Sequence, residues 1–364
     1  MATVETELPV STFLYTTDST NVTSVPSWII PNTLPTSVLI CTGVASSLSI
    51  LGAVLIFVTY CTVESARNQT RRLLIYLTIS DFLISAGNLL GTIRYALRFN
   101  KEITDRDIVR NCRHSDEICV IQSCVTTFAS LASFGWTVVI GVHLLTSLVY
   151  QRSMGKKPRI ISHLICWGVP ITITTIAAFW NVLGEDYALS SGPWCWIRGC
   201  LRSDNDIIIW MTVTGKGWEI LTYVLAANFY IYLKLFMCKQ RRSANRRIGY
   251  YEQSGSSYLR MRLRDEDEIY VLQWLLLYVL RIWGTVRYGL AMNKIGGHHL
   301  IPSYDKVDFV LLHMQSVGDS SHAFFNCILF CFCDKTVRTS ILRRLKACCR
   351  RQGEYQELID PALN

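Results

Sequence analysis

The side chains best suited to chemistry in this sequence stand inside long apolar runs. Asp81, Arg94, His143, Lys216, Glu219, Arg281, Arg287, His313, Asp319 and His322 all do. An ionised group in hydrocarbon costs several kcal/mol unless it finds a partner or faces water, so each is a candidate for a binding or relay site. Lys216 and Glu219 are three residues apart, which puts them on one helical face where they can pair. Arg94, Lys216, Arg287 and His313 fall in one half of the hydrophobic depth. Facing inward together, with Glu219 beside them, they would make a cationic cavity suited to an anionic or strongly polar ligand. The competing reading is that each is neutralised by an interhelical partner and serves packing alone. Asp81 lies deeper, where a structural or ion-linked polar network is its expected role. Trp136, Trp167, Trp180, Trp218 and Trp283 read as packing or interface residues.

Enzyme chemistry finds no support. The chain has no phosphate-cradling Walker loop, no His-Glu-x-x-His, no nucleophile elbow and no Cys-x-x-Cys pair with zinc-site spacing. Cys331-Phe332-Cys333 has the wrong spacing. No catalytic residue, metal or cofactor is therefore expected.

The elements that must position these residues follow from hydropathy. Half of the 364 residues are hydrophobic and 17% are charged, with a mean hydropathy of +0.27. A soluble domain needs more charge to keep its surface wet. The apolar residues cluster in runs of roughly 20 or more, enough to cross about 30 Å of hydrocarbon at ~1.5 Å per residue. Seven such spans are expected, at Leu34–Cys61, Arg71–Leu97, Ile118–Tyr150, Ile160–Leu183, Asp206–Cys238, Ile269–Asn293 and Lys306–Cys333. The fold class is thus an all-α membrane protein, a seven-transmembrane helix bundle. Asp334–Cys349 reads as a short basic amphipathic helix after the seventh span. The longest connection, Lys239–Glu268, is polar and contains Ser254-Gly255-Ser256-Ser257, which reads as a mobile loop. No 20- to 50-residue period repeats, which excludes a solenoid.

Charge sets the orientation. The net charge is +9. Nucleic acid is one partner for a basic chain, but here the positive charge concentrates in a few loops and no nucleic-acid partner is expected. Arg67, Arg71 and Arg72 follow the first span, and Arg152, Lys156, Lys157 and Arg159 follow the third. The connection after the fifth carries Arg241, Arg242, Arg246 and Arg247 among others, and the tail carries Lys335, Arg338 and Arg343. The opposite side has fewer, and residues 1–33 have none, so the tail belongs in the cytoplasm and the N-terminus outside. The expected organisation is an extracellular segment over 1–33, a bundle over 34–333 and a cytoplasmic helix and tail over 334–364, at the plasma membrane. No signal peptide is visible, so the first span must direct insertion. Asn21-Val22-Thr23 is an N-glycosylation acceptor on the outer side, whereas Asn68-Gln69-Thr70 faces the cytoplasm and should stay unmodified.

The 14 cysteines sort by location. Cys112, Cys119, Cys195 and Cys200 lie outside, where disulfides persist. Four cysteines allow three pairings. Cys119 with Cys195 is the favoured one, because it would pin the loop after the fourth span over the mouth of the bundle; Cys112 and Cys200 could make a second. Cys348 and Cys349 are candidates for palmitoylation at the inner leaflet.

Seven spans in this orientation, with a cysteine pair from the third span to the following outer loop, resemble G-protein-coupled receptors. The rhodopsin-like class ends its third helix with Asp-Arg-Tyr; here the region reads Ser147-Leu148-Val149-Tyr150-Gln151-Arg152. Its Asn-Pro-x-x-Tyr is replaced by Asn326-Cys327-Ile328-Leu329-Phe330. The segments Arg71-Arg72-Leu73-Leu74, Ser80-Asp81-Phe82-Leu83 and Phe134-Gly135-Trp136-Thr137-Val138 instead resemble a small orphan group. This is the G-protein coupled receptor 157-like group, similar to the slime-mould cyclic-AMP receptors and near the secretin-like class. Trp167-Gly168-Val169-Pro170, Trp194-Cys195-Trp196-Ile197, Thr214-Gly215-Lys216-Gly217-Trp218-Glu219 and Arg281-Ile282-Trp283-Gly284-Thr285-Val286-Arg287 carry the same resemblance.

The resemblance implies a receptor that passes an extracellular signal to a heterotrimeric G protein through a ligand-shifted conformational switch. The extracellular ligand is not identified by the residues. Arg241, Arg242, Arg246, Arg247, Lys335 and Arg338 would border the cytoplasmic cleft. The rival class is a seven-helix transporter or channel. Repeated halves and broken helices, often seen in transporters, are not evident. A retinal-binding pump would need a lysine midway along the seventh span, and Lys306 lies at its mouth.

Overall fold

A computed structural model describes residues 34–64, 67–98, 116–149, 154–186, 191–201, 203–247, 254–295, 304–334, 337–340 and 342–343. Nearly all are helical. The long helices are α1 (Thr36–Thr62), α2 (Gln69–Arg98), α3 (Glu117–Val149) and α4 (Lys156–Phe179). A two-strand ladder, β1 (Leu183–Gly184) with β2 (Trp196–Ile197), runs antiparallel with Leu183 opposite Ile197. Next come α5 (Asp204–Met211), a π-helical turn over Thr212–Lys216, and α6 (Gly217–Arg247). Then α7 (Ser254–Ile295), α8 (Tyr304–Ser320), α9 (His322–Cys327) and a second π segment, Ile328–Cys333, complete the order.

Six of the described helices are long and apolar enough to cross a membrane. Their burial runs opposite to that of a soluble protein. On α1, Ile40, Val44, Leu51 and Val54 are exposed while Thr42, Ser46 and Ser49 are buried. Apolar residues can face lipid, and small or hydroxyl residues let neighbouring backbones approach. Some buried hydroxyls are satisfied within their own helices, as when Thr42 donates to the Val38 carbonyl and Thr78 to that of Leu74, both at 2.8 Å. The core at the tail end is aromatic and aliphatic, with Trp136, Ile140, Trp274 and Phe330 packed together.

The structure changes several expected boundaries. The fourth span was expected to run to Leu183, but α4 stops at Phe179. Asn181 takes a positive φ of 53°, and Val182 N–H reaches back to the Ala177 carbonyl at 3.1 Å while Asn181 N–H bonds Ala178. This left-handed cap ends a helix without glycine and turns Leu183 into β1. The expected polar loop Lys239–Glu268 is mostly helical. Here α6 continues to Arg247 and α7 begins at Ser254, because Arg, Lys, Gln, Glu and Leu favour helix whether or not the segment is apolar.

The span expected over Lys306–Cys333 is interrupted at Ser321, with φ −103° and ψ 6°. The break falls in Gly318-Asp319-Ser320-Ser321, where small residues let the helix kink. A Cβ on Gly318 would collide with the Leu280 carbonyl of α7. Beyond Asp334, residues 337–340 and 342–343 are helical. Asn21, Cys112, Lys335, Cys348 and Cys349 lie outside the described residues. The same is true of the side chains of Arg241, Arg242, Arg246 and Arg247.

Candidate ligand-binding site

A cavity whose empty space, open solvent included, is about 590 Å³ opens between α2, α3, the π turn, α6, α7 and α8 beneath the β1–β2 ladder. Asn88, Thr126, Thr127 and Ser130 give it hydroxyl and amide walls. Phe134, Trp194 and Trp196 supply aromatic faces, and Lys216, Glu219, Arg281 and Asp319 supply charge.

The roof is fixed from several sides. Cys119, at the start of α3, is disulfide-bonded to Cys195. Cys200 is disulfide-bonded too. Gln122 accepts the Cys195 N–H through Oε1 at 2.8 Å, so two points on one face of α3 hold the hairpin. Arg94 on α2 donates through Nε to Asp116 at 2.6 Å and through Nη1 to Glu185 at 2.7 Å. Arg98 adds a 2.7 Å ion pair to Asp116. The Asp116 carboxyl is raised by partial burial. The Arg94 hydrogen bond, the Arg94 charge and the Arg98 charge more than offset this, leaving it below the ordinary carboxylate range. On the far side Arg287 of α7 donates Nη1 to the Ser191 carbonyl at 2.7 Å and to Gln315 Oε1 at 2.8 Å, while its Nε meets Asp308 at 2.8 Å. One guanidinium thus joins α7, α8 and the roof. Only glycine fits at Gly91, where a Cβ would come within 2.9 Å of the Trp194 Cα.

The floor is organised by Glu219. Its Oε2 accepts Lys216 Nζ at 2.8 Å. Its Oε1 accepts the Tyr223 hydroxyl at 2.7 Å and the Thr285 hydroxyl of α7 at 2.6 Å. The π turn adds one residue to the helical winding just before this point, and such turns re-aim the side chains around them. Gly284 leaves the space for the lysine head: a Cβ there would lie 3.0 Å from Lys216 Nζ. Below the cavity Asp81 accepts Ser133 at 2.9 Å and Asn326 at 3.0 Å, a buried polar network joining α2, α3 and α9.

Of the residues expected to bind a ligand, the structure brings Lys216 and Glu219 into the cavity. Arg94 and Arg287 stand in its roof supports, each ion-paired. His313 shares a 2.8 Å hydrogen bond with Ser37 of α1, away from the lining. The cationic cavity expected from the sequence is instead charge-balanced. Lys216 and Arg281 are matched by Glu219 and Asp319, because Arg94 and Arg287 find carboxylates outside it. Those carboxylates, Asp116, Glu185 and Asp308, gave no signal in the sequence, since polar residues between apolar runs are ordinary. Glu185 also adjoins Cys119 and Cys195, but sulfurs joined in a disulfide are not available as metal thiolates.

Residues 35–263 match the family described as 7 transmembrane receptor (Secretin family). The chain belongs to that family and is a G-protein-coupled receptor, a membrane protein and not an enzyme. It is 32% identical to mouse G-protein coupled receptor 157 over 311 residues, covering 84% of each chain. To the human protein of that name it is 30% identical over 320 residues, 87% of this chain and 85% of the other. Cyclic AMP receptor-like protein A of Dictyostelium discoideum is 24% identical over 156 residues, 42% of this chain and 35% of that one. The transporter or channel reading is not favoured.

Proposed function

We propose that this receptor sits in the plasma membrane with its N-terminus outside and crosses the bilayer seven times. In this reading it binds an extracellular ligand in the roofed cavity and passes the signal to a heterotrimeric G protein. The kinked α8–α9 unit is the seventh crossing. Residues 1–33 are then extracellular with Asn21 glycosylated, 34–333 form the bundle, and 334–364 are cytoplasmic, with an amphipathic helix palmitoylated at Cys348 and Cys349. One observation carries the reading. The Lys216–Glu219 pair lines the cavity and is hydrogen-bonded across to Thr285 of α7, so a ligand that disturbs the pair acts on the contact between α6 and α7. A ligand shifts the population only by its differential affinity for two arrangements, and this junction is where such a difference would arise. At the other end Arg241, Arg242, Arg246, Arg247, Lys335 and Arg338 are the proposed G-protein contact.

The test is a second-messenger screen in transfected cells, normalised to surface receptor. The intact chain is compared with one in which Arg241, Arg242, Arg246 and Arg247 are neutralised. Output from the intact chain that falls in the mutant is expected. Equal output from both would overturn the assigned contact, and absence of coupling to every G-protein class would overturn the transduction reading.

A further inference from the structure

Two charged groups in the cavity remain incompletely answered. Arg281 is 5% exposed, yet its Nη2 has no hydrogen-bond partner. Its Nε donates to His322 at 3.1 Å, and its guanidinium lies 4.8 Å from the centre of the Phe134 ring. No ion pair to Arg281 occurs among the described residues. Asp319 is the second group. Among the described residues its side chain accepts one hydrogen bond, from the Gln315 amide at 3.1 Å, and makes no ion pair. Both line the same cavity. The other two charges there, Lys216 and Glu219, already satisfy each other at 2.8 Å.

A buried guanidinium nitrogen without an acceptor carries a desolvation penalty that a bound anion removes. Asp319 feels the charges of Lys216 and Arg281 but makes no ion pair among the described residues, so it can still take a cation in the same space. The cavity as a whole is neutral, so a ligand of net charge would leave one charge uncompensated in a poorly hydrated site, which is costly. A neutral ligand without charges would leave Arg281 and Asp319 as they are. The molecule that answers both carries one charge of each sign. Its apolar part meets a lining in which Phe134, Trp194 and Trp196 outnumber the aliphatic Ile84, and aromatic rings pair favourably with aromatic faces.

We propose that the cavity binds an aromatic α-amino acid, its carboxylate on Arg281 Nη2, its ammonium on Asp319 and its ring among Phe134, Trp194 and Trp196. The proposal rests on the cavity being the receptor's ligand site and names the chemical class it takes. The ligand then lies against the Lys216–Glu219 pair, which lines the same cavity.

The experiment uses the full-length receptor in lipid nanodiscs and three probes that share one phenyl ring. These are L-phenylalanine, 3-phenylpropanoate, which lacks the amine, and 2-phenylethylamine, which lacks the carboxylate. Binding is read as a saturable rise in Tm. The expected result is that L-phenylalanine binds at least about tenfold more tightly than either single-charge probe. Asp319→Asn should reduce it to the level of 3-phenylpropanoate, and Arg281→Gln to that of 2-phenylethylamine. The comparison of probes on the unmodified receptor stands even where a variant fails to fold. Equal or tighter binding of either single-charge probe overturns the inference, and so does the absence of a shift with all three. If the receptor couples in cells but no probe binds, only the ligand class falls. If L-phenylalanine binds but no coupling exists, the inference stands and the transduction reading falls.

Discussion

A lysine ammonium within a lipid-embedded bundle must be answered by charge, and Lys216 is answered by Glu219 three residues on. Removing one partner of a buried pair strands the other, at a cost of about 3–5 kcal/mol, whereas replacing both is often close to neutral. Lys216→Met and Glu219→Gln should therefore each lower the Tm of the purified receptor, and the double variant should lower it by clearly less than the sum. Glutamine keeps an acceptor for Tyr223 and Thr285, so the comparison isolates the charge. Strict additivity would show that the two do not act as a pair. Asp116 gives a pH-dependent counterpart in the roof. Its carboxyl is held below the ordinary range by Arg94 and Arg98. The stabilisation it gives is complete above the unfolded value, about 3.9, and is lost as pH falls through the lower folded value. Between pH 5 and pH 3 (an interval of about 2 units around that value) the Tm of the native chain should fall more steeply than that of Asp116→Asn. Parallel curves would show that Asp116 contributes no linked proton.

At the scale of helices, glycine decides how closely α7 and α8 approach. A Cβ at Gly318 would meet backbone, the Leu280 carbonyl, which has no rotamer to move away. Gly318→Ala should cost about 1–3 kcal/mol or more through forced backbone shift. Gly43→Ala and Gly168→Ala meet nothing within 4 Å and should be neutral. Surface expression and Tm of the three variants check this; an unaffected Gly318→Ala would mean the two helices can separate freely there. The existence of six spans was legible in the sequence because a bilayer demands long apolar runs. Their ends were less so. Hydropathy marks where lipid stops, not where hydrogen bonding stops, so α6 and α7 outrun their apolar cores. The end of α4 turns on a left-handed Asn181 whose neighbours Val182 and Leu183 are as apolar as the helix. The cavity was half legible. Lys216 and Glu219 announce themselves by charge and spacing. Arg94 and Arg287 look the same by charge but are claimed by acids up to 91 residues away in sequence, a separation that one sequence does not encode. Trp194, Trp196 and Thr126 line the cavity without any pattern that separates them from packing residues.

Across the whole molecule, the cavity and the proposed G-protein contact on α6 are connected by continuous helix. From Glu219 to Arg247, α6 is unbroken and spans about 40 Å at ~1.5 Å per residue. On the tail side α7 starts at Ser254 and continues past Thr285. In the proposed switch, a tilt at the Glu219–Thr285 contact would be carried along both helices towards Arg247 and Ser254. Towards those ends α6 carries Lys239, Arg241, Arg242, Arg246 and Arg247, while α7 carries Arg260, Arg262 and Arg264 and, directly after them, Asp265-Glu266-Asp267-Glu268. Orientation in the membrane explains the basic run, but acids contribute little to topology, so the acidic run calls for another reason. Both runs are helical. Opposite charges on the two helices can hold the tail end closed at rest. Each exposed pair adds only about 0–1 kcal/mol, so several must act together. A combined gap of about 1–2 kcal/mol shifts a two-state equilibrium roughly five- to thirtyfold. Neutralising Asp265, Glu266, Asp267 and Glu268 together should therefore raise basal second-messenger output by a factor of that order, normalised to surface receptor. Raising the ionic strength around receptor in nanodiscs should weaken the same latch, since exposed pairs are screened over about 8–10 Å, and G-protein engagement by the native chain should approach that of the four-acid variant. Unchanged basal output in the variant, with coupling intact, would leave the acids as a solvated stretch of α7 and remove the latch.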